Sequence, residues 1–152
     1  MNGKTPMPAV GEGRRGRSGH IGYLLRQAHA AHRARMEHAL APCGVTLPQF
    51  SVLTMVAAYP GVSGAELARL ALLTPQTMSV IVANLERAGA IARRPHDAHG
   101  RILLIEISPA GRSLLARCKA AVRAAEAALL AGLDEAEDAV VRRWLVAAAQ
   151  AQ

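Results

Sequence analysis

Residues 63–89 read SGAELARLALLTPQTMSVIVANLERAG, and this stretch contains two helix starts and one helix stop. Ser63 followed by Glu66 has the capping-box spacing, in which the serine hydroxyl accepts from the backbone N–H three residues on while the glutamate reaches back to the serine N–H. This predicts a short helix over Gly64 to Leu70. Thr74-Pro75 then opens a second helix, with proline at the first position, where its missing N–H costs nothing, and Gly89 closes it. Met78, Ile81, Val82 and Leu85 recur at i, i+3, i+4 and i+7, so they form a buried face. The opposite face carries Gln76, Thr77, Ser79, Val80, Ala83, Asn84 and Arg87. Two short helices joined by a tight turn, the second presenting small polar side chains, is the helix-turn-helix layout: a B-DNA major groove about 12 Å wide admits one helix whose exposed groups can reach base edges.

Downstream of Gly89 the period shortens from helical to extended. Residues 90–94 and 101–107 are rich in β-branched side chains and flank a polar, glycine-containing tip at 95–100, which predicts a hairpin. Arg93, Arg94 and Arg101, with His99 at the tip, would lie beside the second helix, where a phosphate backbone or minor groove passes. Asp97 is placed to brace Arg101 across the tip. Ser108-Pro109 starts a long Ala-rich helix to about Leu130; Asp134 with Glu137 caps a last one running toward Ala149.

Upstream, Thr46 and Gln49 repeat the capping box with Pro48 in the first turn, and Phe50, Leu53, Thr54 and Ala57 make one face before Tyr59-Pro60-Gly61 ends the helix. Pro42 and Gly44 mark a loop at residues 41–45. Before it, Ile21, Leu25, Ala28, Met36 and Leu40 recur near helical spacing over 21–40. Residues 1–19 are rich in Gly, Pro and Arg without periodic apolar positions, and are expected to be a flexible basic arm. The fold class is therefore mainly α with a small β-hairpin: a winged helix-turn-helix lobe at about 46–108, flanked by dimerisation helices at about 20–40 and 109–150, all within a single unit over 20–152.

Composition supports this. The chain has 152 residues, 51% hydrophobic but only 3% aromatic, so its core must be built from Ala, Leu, Val and Ile. Eighteen Lys and Arg against 11 Asp and Glu give a net charge of +7, which favours an anionic partner. No apolar run reaches the roughly 20 residues of a membrane span, and the first 18 residues lack the apolar core of a secretory signal. A cytoplasmic protein with no membrane partner is the expectation. Cys43 and Cys118 have neither a CxxC spacing nor the number for a disulfide framework, so reduced thiols are expected.

In their order and spacing, Leu47-Pro48-Gln49-Phe50-Ser51-Val52-Leu53, Ala65-Glu66-Leu67-Ala68, Thr74-Pro75-Gln76-Thr77-Met78-Ser79, Leu85-Glu86-Arg87-Ala88-Gly89 and His99-Gly100-Arg101 leading to Ile107-Ser108-Pro109-Ala110-Gly111 resemble the MarR family of transcriptional regulators. The resemblance covers the chain from about Ile21 to its end. It implies a homodimer in which the first, fifth and sixth helices of both subunits interlock, each subunit presenting its winged lobe to half of a near-palindromic operator in double-stranded DNA. The set expected to meet DNA is Ser63, Thr74, Pro75, Gln76, Thr77, Ser79, Val80, Asn84, Arg87, Arg93, Arg94, His99 and Arg101. The resemblance also implies a site for a small aromatic or phenolic effector between the dimer helices and the lobe, with His32, Phe50, Met55 and Tyr59 as candidate lining residues.

The remaining chemistry is sparse. Cys43, in a loop just ahead of a helix, is the candidate for thiol oxidation. His29 and His32 are spaced i, i+3, but no Cys or carboxylate cluster joins them, so no metal is expected. No P-loop, GxGxxG or nucleophile elbow is present, and neither an enzyme nor a cofactor is anticipated. The leading reading is a repressor released from its operator by a small ligand or by thiol oxidation. The alternatives are a non-specific architectural DNA-binding protein and a winged-helix module for protein contacts.

Overall fold

In the computed structural model, which describes residues 7–96 and 102–150, the caps read from sequence sit where they were expected. Helix α1 spans Ile21–Leu40 and passes into a 3-10 turn, Ala41–Cys43; α2 spans Leu47–Ala58, α3 Gly64–Leu70, α4 Pro75–Arg87, α5 Pro109–Leu130 and α6 Glu135–Gln150. Both capping boxes close reciprocally. Thr46 accepts from the Gln49 N–H while the Thr46 N–H donates to Gln49 Oε1 at 3.0 Å, and Ser63 with Glu66 does the same.

The hairpin strands are β2, Ile91–Pro95, and β3, Leu103–Ile107. A two-residue strand, β1, Val62–Ser63, adds to them, giving a three-stranded antiparallel sheet in the order β1-β3-β2. Val62 pairs with Ile105 and Ile91 with Ile107, which turns Val62, Ile91, Ile105 and Ile107 into the lobe. The sequence pattern had predicted only the hairpin. A strand of two residues has too little alternation to register; it exists because β3 offers it a free edge.

Two hydrophobic clusters result. The first fills the lobe and joins Val52, Leu53 and Val56 of α2 to Leu67, to the Met78, Ile81, Val82 and Leu85 stripe of α4, and to the sheet. The second lies at the end of α1 and gathers Met36, Leu40, Val45, Cys118, Val122 and Ala125. Phe50 and Leu114 pack against both. The buried face of α2 is thus Val52, Leu53 and Val56, rotated from the expected face of Phe50, Leu53, Thr54 and Ala57, because α2 is clamped between α4 and the sheet on one side and α5 on the other.

Along α1 only Met36 and Leu40 are buried, while Ile21 and Leu25 remain exposed. Over residues 7–19, the described part of the stretch 1–19 expected to be a mobile arm, a 3-10 turn at Gly13–Arg15 is held against α1 by the Arg15 guanidinium donating to Gln27 Oε1 and by the Gln27 amide donating to the Arg15 carbonyl at 3.1 Å. No single described helix is long and apolar enough to cross a membrane.

The start of α5 is seated directly on the turn that follows α4. Ser108 Oγ donates to the Gly89 carbonyl at 2.6 Å, the Ser108 N–H donates to the Ala90 carbonyl at 3.0 Å, and a Cβ on Gly111 would stand 1.9 Å from the Ala90 oxygen. In the turn between α3 and α4, Leu72 adopts φ +55° with its side chain 92% exposed, a left-handed conformation that costs an L-residue about 1–2 kcal/mol.

Two opposite stability changes follow. Gly111→Ala must displace backbone at Ala90 and is expected to cost about 3 kcal/mol, at the upper end of overpacking effects. Leu72→Gly removes no packing, relieves the left-handed strain, gives some of it back as glycine chain entropy, and should gain about 0.5–1 kcal/mol. Guanidinium unfolding followed by circular dichroism measures both.

Candidate nucleic-acid interface

The outer face of α4 is set by its N-cap. Thr74 Oγ1 accepts from the Thr77 N–H at 3.2 Å and its hydroxyl donates to Thr77 Oγ1 at 2.9 Å, while Ser79 Oγ donates to the Pro75 carbonyl at 2.9 Å. These hydroxyls are held against the helix's own first turn, so the cap face is fixed in shape. Gln76, Thr77, Ser79, Val80 and Arg87 are exposed and Asn84 is half-buried. Arg87 Nη1 donates to Asn84 Oδ1 at 2.9 Å, which extends the guanidinium along the helix face. Val80 stands in the middle of this face, 61% exposed and outside the lobe's core cluster.

A groove of about 470 Å³ runs between the start of α3, α4 and the sheet, and it brings Ser63, Pro75, Ser79 and Arg93 together. The Ser63 hydroxyl is committed to Glu66 Oε2 at 2.7 Å. Both arginines of β2 are answered by carboxylates that sequence reading did not pair with them. Arg93 is hydrogen-bonded to Glu86 of α4, and Arg94 Nε lies 2.6 Å from Glu106 Oε1 on β3. The Arg93 hydrogen bond holds the Glu86 carboxyl below its usual range, and Glu86 in turn raises Arg93. The Glu106 pairing was legible in principle: Ala92 faces Glu106 in the ladder, which puts Arg94 on its diagonal. His99 and Arg101, with Asp97, lie outside the described residues.

The four candidate effector residues occupy different places. His32 lines a cleft of about 870 Å³ between α1, α5 and α6, together with Leu25, His29, Arg123, Leu130 and Trp144. His32 Nε2 is 3.5 Å from Glu126 Oε1, and the buried His32 Nδ1 has no hydrogen-bond partner. Phe50 and Met55 pack against the cores. Tyr59 lines a separate shallow groove with Pro60, Arg69 and Leu70. Periodicity had given no sign of Arg123 and Trp144 as cleft residues, because they come to line one cleft only when α1, α5 and α6 are brought together.

Helix α6 buries no residue, and Val140, Val141, Trp144, Leu145 and Val146 are exposed along it. Cys43 is half-buried beside the fully buried Cys118. Among the described residues no group of three or more His, Cys, Asp or Glu side chains could hold a metal ion.

Comparison with known proteins bears on this arrangement. The family model described as MarR family matches residues 44–102. The HTH-type transcriptional repressor Rv2887 of Mycobacterium tuberculosis is 43% identical over 125 residues, 82% of this chain and 90% of the relative. The crystal structure of Rv2887 in complex with DNA superposes with a TM-score of 0.70 at 42% identity, covering 84% of this chain and 95% of that one. Its complex with salicylic acid gives 0.68 at 42% identity, covering 84% and 94%.

The carboxylate on Arg93 yields a measurable expectation. Glu86→Gln removes the partner and frees one cation toward phosphate. Binding to any duplex should tighten, and the slope of log K against log salt should steepen by about 1. Fluorescence anisotropy on a random-sequence duplex over a salt series reads both.

Proposed function

The chain belongs to the MarR family, and from that premise we propose that it is a homodimeric, sequence-specific DNA-binding repressor whose hold on its operator is relieved by a small anionic aromatic molecule. The observation that carries the reading is the exposed face of α4, with Gln76, Val80, Asn84 and Arg87 presented beside a sheet whose arginines are already paired. A protein that gripped DNA by phosphates alone would leave those guanidinium groups uncompensated. The face offers amide, hydroxyl and methyl groups, the chemistry that distinguishes base edges in the major groove. Ser63, Thr74, Pro75, Thr77 and Ser79 shape the approach, and Arg93, Arg94, His99 and Arg101 are assigned to the backbone flanking it.

Dimerisation follows from what the single chain leaves bare. Outside the cleft, the N-terminal half of α1 and the apolar side of α6 expose Tyr23, Val140 and Val146, and pairing two copies across a two-fold axis covers them. The same axis sets the two α4 helices at the spacing of successive major-groove faces, about 34 Å.

The effector is assigned to the cleft between α1, α5 and α6. Its volume falls within the range of about 300–1,000 Å³ for small-ligand sites. Its walls combine apolar side chains with His32, Glu126 and Arg123, and the Arg123 guanidinium suits a ring bearing a carboxylate or phenol. A relative that is 42% identical has been solved with salicylic acid. A ligand there sits among the long helices α1, α5 and α6, away from the lobe, and acts by favouring dimers whose α4 spacing no longer matches DNA.

Selection from randomised duplexes, followed by anisotropy at matched salt, tests the reading. The expected result is a dimer that binds the selected duplex about 10³-fold or more tighter than a scrambled one. Gln76→Ala or Arg87→Ala should cost about 1–3 kcal/mol and relax the selected sequence. Equal affinity for both duplexes would assign the protein to architectural DNA binding, and a dimer indifferent to DNA would assign it to protein contacts.

Trp144 is the single tryptophan of the chain and lines the cleft, so salicylate should quench its emission over the concentration range that releases the duplex. Release without quenching would place the effector elsewhere.

A further inference from the structure

Val80 is the one exposed large aliphatic side chain on α4; Met78, Ile81, Val82 and Leu85 are all buried. Gln76 and Asn84 stand one turn before and after it, about 6 Å away along the axis, and Thr77 and Ala83 flank it at i−3 and i+3. Valine at this position does not serve the helix, since it is a weaker helix former than Ala, Lys or Arg. It does not serve the core either, because it lies outside the lobe's cluster. The polar groups around it are engaged within α4: Thr74 donates to Thr77 Oγ1, Ser79 donates to the Pro75 carbonyl, and Asn84 Oδ1 accepts from Arg87. The centre of the face therefore presents an isopropyl group, with the Gln76 amide on one side and Asn84 with Arg87 on the other.

We propose that Val80 is a specificity-determining residue that seats the C5-methyl group of one thymine in each half-site of the operator. The inference rests on the DNA reading of α4 and adds the base that the centre of this helix selects. Along the major groove every base pair presents hydrogen-bonding groups, and the thymine methyl is the one apolar group among them. Against that methyl, Val80 removes apolar surface from water on both sides. Against guanine O6 and N7, or the cytosine N4 amino group, it excludes water and offers no hydrogen bond in return, which leaves the base edge unsatisfied. Gln76 suits the N6 and N7 groups of adenine. The axial distance between the two residues corresponds to about two base-pair steps of ~3.4 Å, so the thymine lies within about two steps of the base that Gln76 reads. A contact between methyl groups releases no counterions, which separates it from every arginine contact by its indifference to salt.

The test uses the full-length dimer and a duplex obtained by selection from random sequence. Each thymine is replaced in turn by deoxyuridine, which deletes the methyl and keeps the pairing edge, and affinity is read by fluorescence anisotropy. One thymine in each half-site is expected to be sensitive, with a loss of about four-fold per methyl. Val80→Ala should lose at least that factor on the thymine duplex, show no further loss with uracil at that one position, and keep the wild-type slope of log K against log salt. Val80 is exposed, so the circular dichroism and melting of this variant should match the wild type. A selected half-site without thymine, or wild-type protein indifferent to every uracil, overturns the proposal while leaving sequence-specific binding intact. Equal losses for Val80→Ala on thymine and uracil duplexes at every position overturn it in favour of a sugar contact. Unchanged DNA binding by Val80→Ala overturns it in favour of a protein partner at this face. A wild-type dimer without sequence preference defeats the DNA reading itself, and this inference with it.

Discussion

The approach of α5 to the backbone at Ala90 is the contact on which the arrangement of this protein depends. Glycine at position 111 is required there, because any Cβ would occupy the Ala90 carbonyl. Ser108 completes the seat by donating to the carbonyls of Gly89 and Ala90. Those two residues lie in the turn that joins α4 to β2, so the face of α4, the strand carrying Arg93 and Arg94, and the long helix α5 leave one point in fixed directions. A rotation of α5 cannot be absorbed locally; it is passed to α4 and to the hairpin together.

The second cluster determines how α5 itself is held. Met36, Leu40 and Val45 grip its middle at Cys118 and Val122, while Phe50 and Leu114 connect this cluster to the lobe's core. Past Ala125 no residue of α5 or α6 is buried. The chain is therefore well packed from α2 to the middle of α5 and bare beyond it. Interiors packed to crystal-like density shift between discrete arrangements rather than deform continuously. A ligand or a second subunit seated on the bare part consequently acts on the orientation of α5 as a lever, and the seat at Ala90 carries that orientation to α4.

What the sequence disclosed is local, and what it concealed is not. The caps at Thr46, Ser63 and Thr74 and the helix bounds they fix are encoded within four residues each, and the structure reproduces them. The α4 stripe is equally legible because a 13-residue helix has room for its period. Strand β1 was invisible, since two residues carry no period and its partner lies about 40 positions downstream. The same distance effect hid the proximity of Cys43 and Cys118, whereas Arg93 and Glu86, seven positions apart, meet only because the chain turns back between α4 and β2. The candidate effector residues are dispersed in space: His32 lines the cleft, Phe50 and Met55 of α2 pack against the cores, and Tyr59, just past α2, lies on another surface. Apolar periodicity reports that a residue is covered, not by what. Ile21 and Leu25 show the limit of that inference, as their cover is absent from the single chain.

Charge distribution carries the argument one step further. The chain has a net charge of +7, yet the described sheet arginines nearest α4 are matched by Glu86 and Glu106, and α4 itself offers Arg87 as its one basic side chain. Much of the excess therefore lies away from the reading face, on the segment before α1, on α1 and on α5, where Arg14, Arg17, Arg26, Arg35, Arg117, Lys119 and Arg123 stand. Charge at that distance raises the encounter rate with a polyanion without choosing among sequences. In the proposed reading, selection falls to the short polar and apolar groups of α4, whose reach is a few ångströms and whose value depends on close placement. A recognition surface of that kind is sensitive to small rotations of its helix, and here the rotation is governed by α5 through Gly111. Coupling a weakly charged reading face to a rigid lever makes release by a ligand far from the DNA physically economical: a modest reorientation removes short-range contacts at once, while the long-range attraction that no ligand could switch off contributes little to specificity.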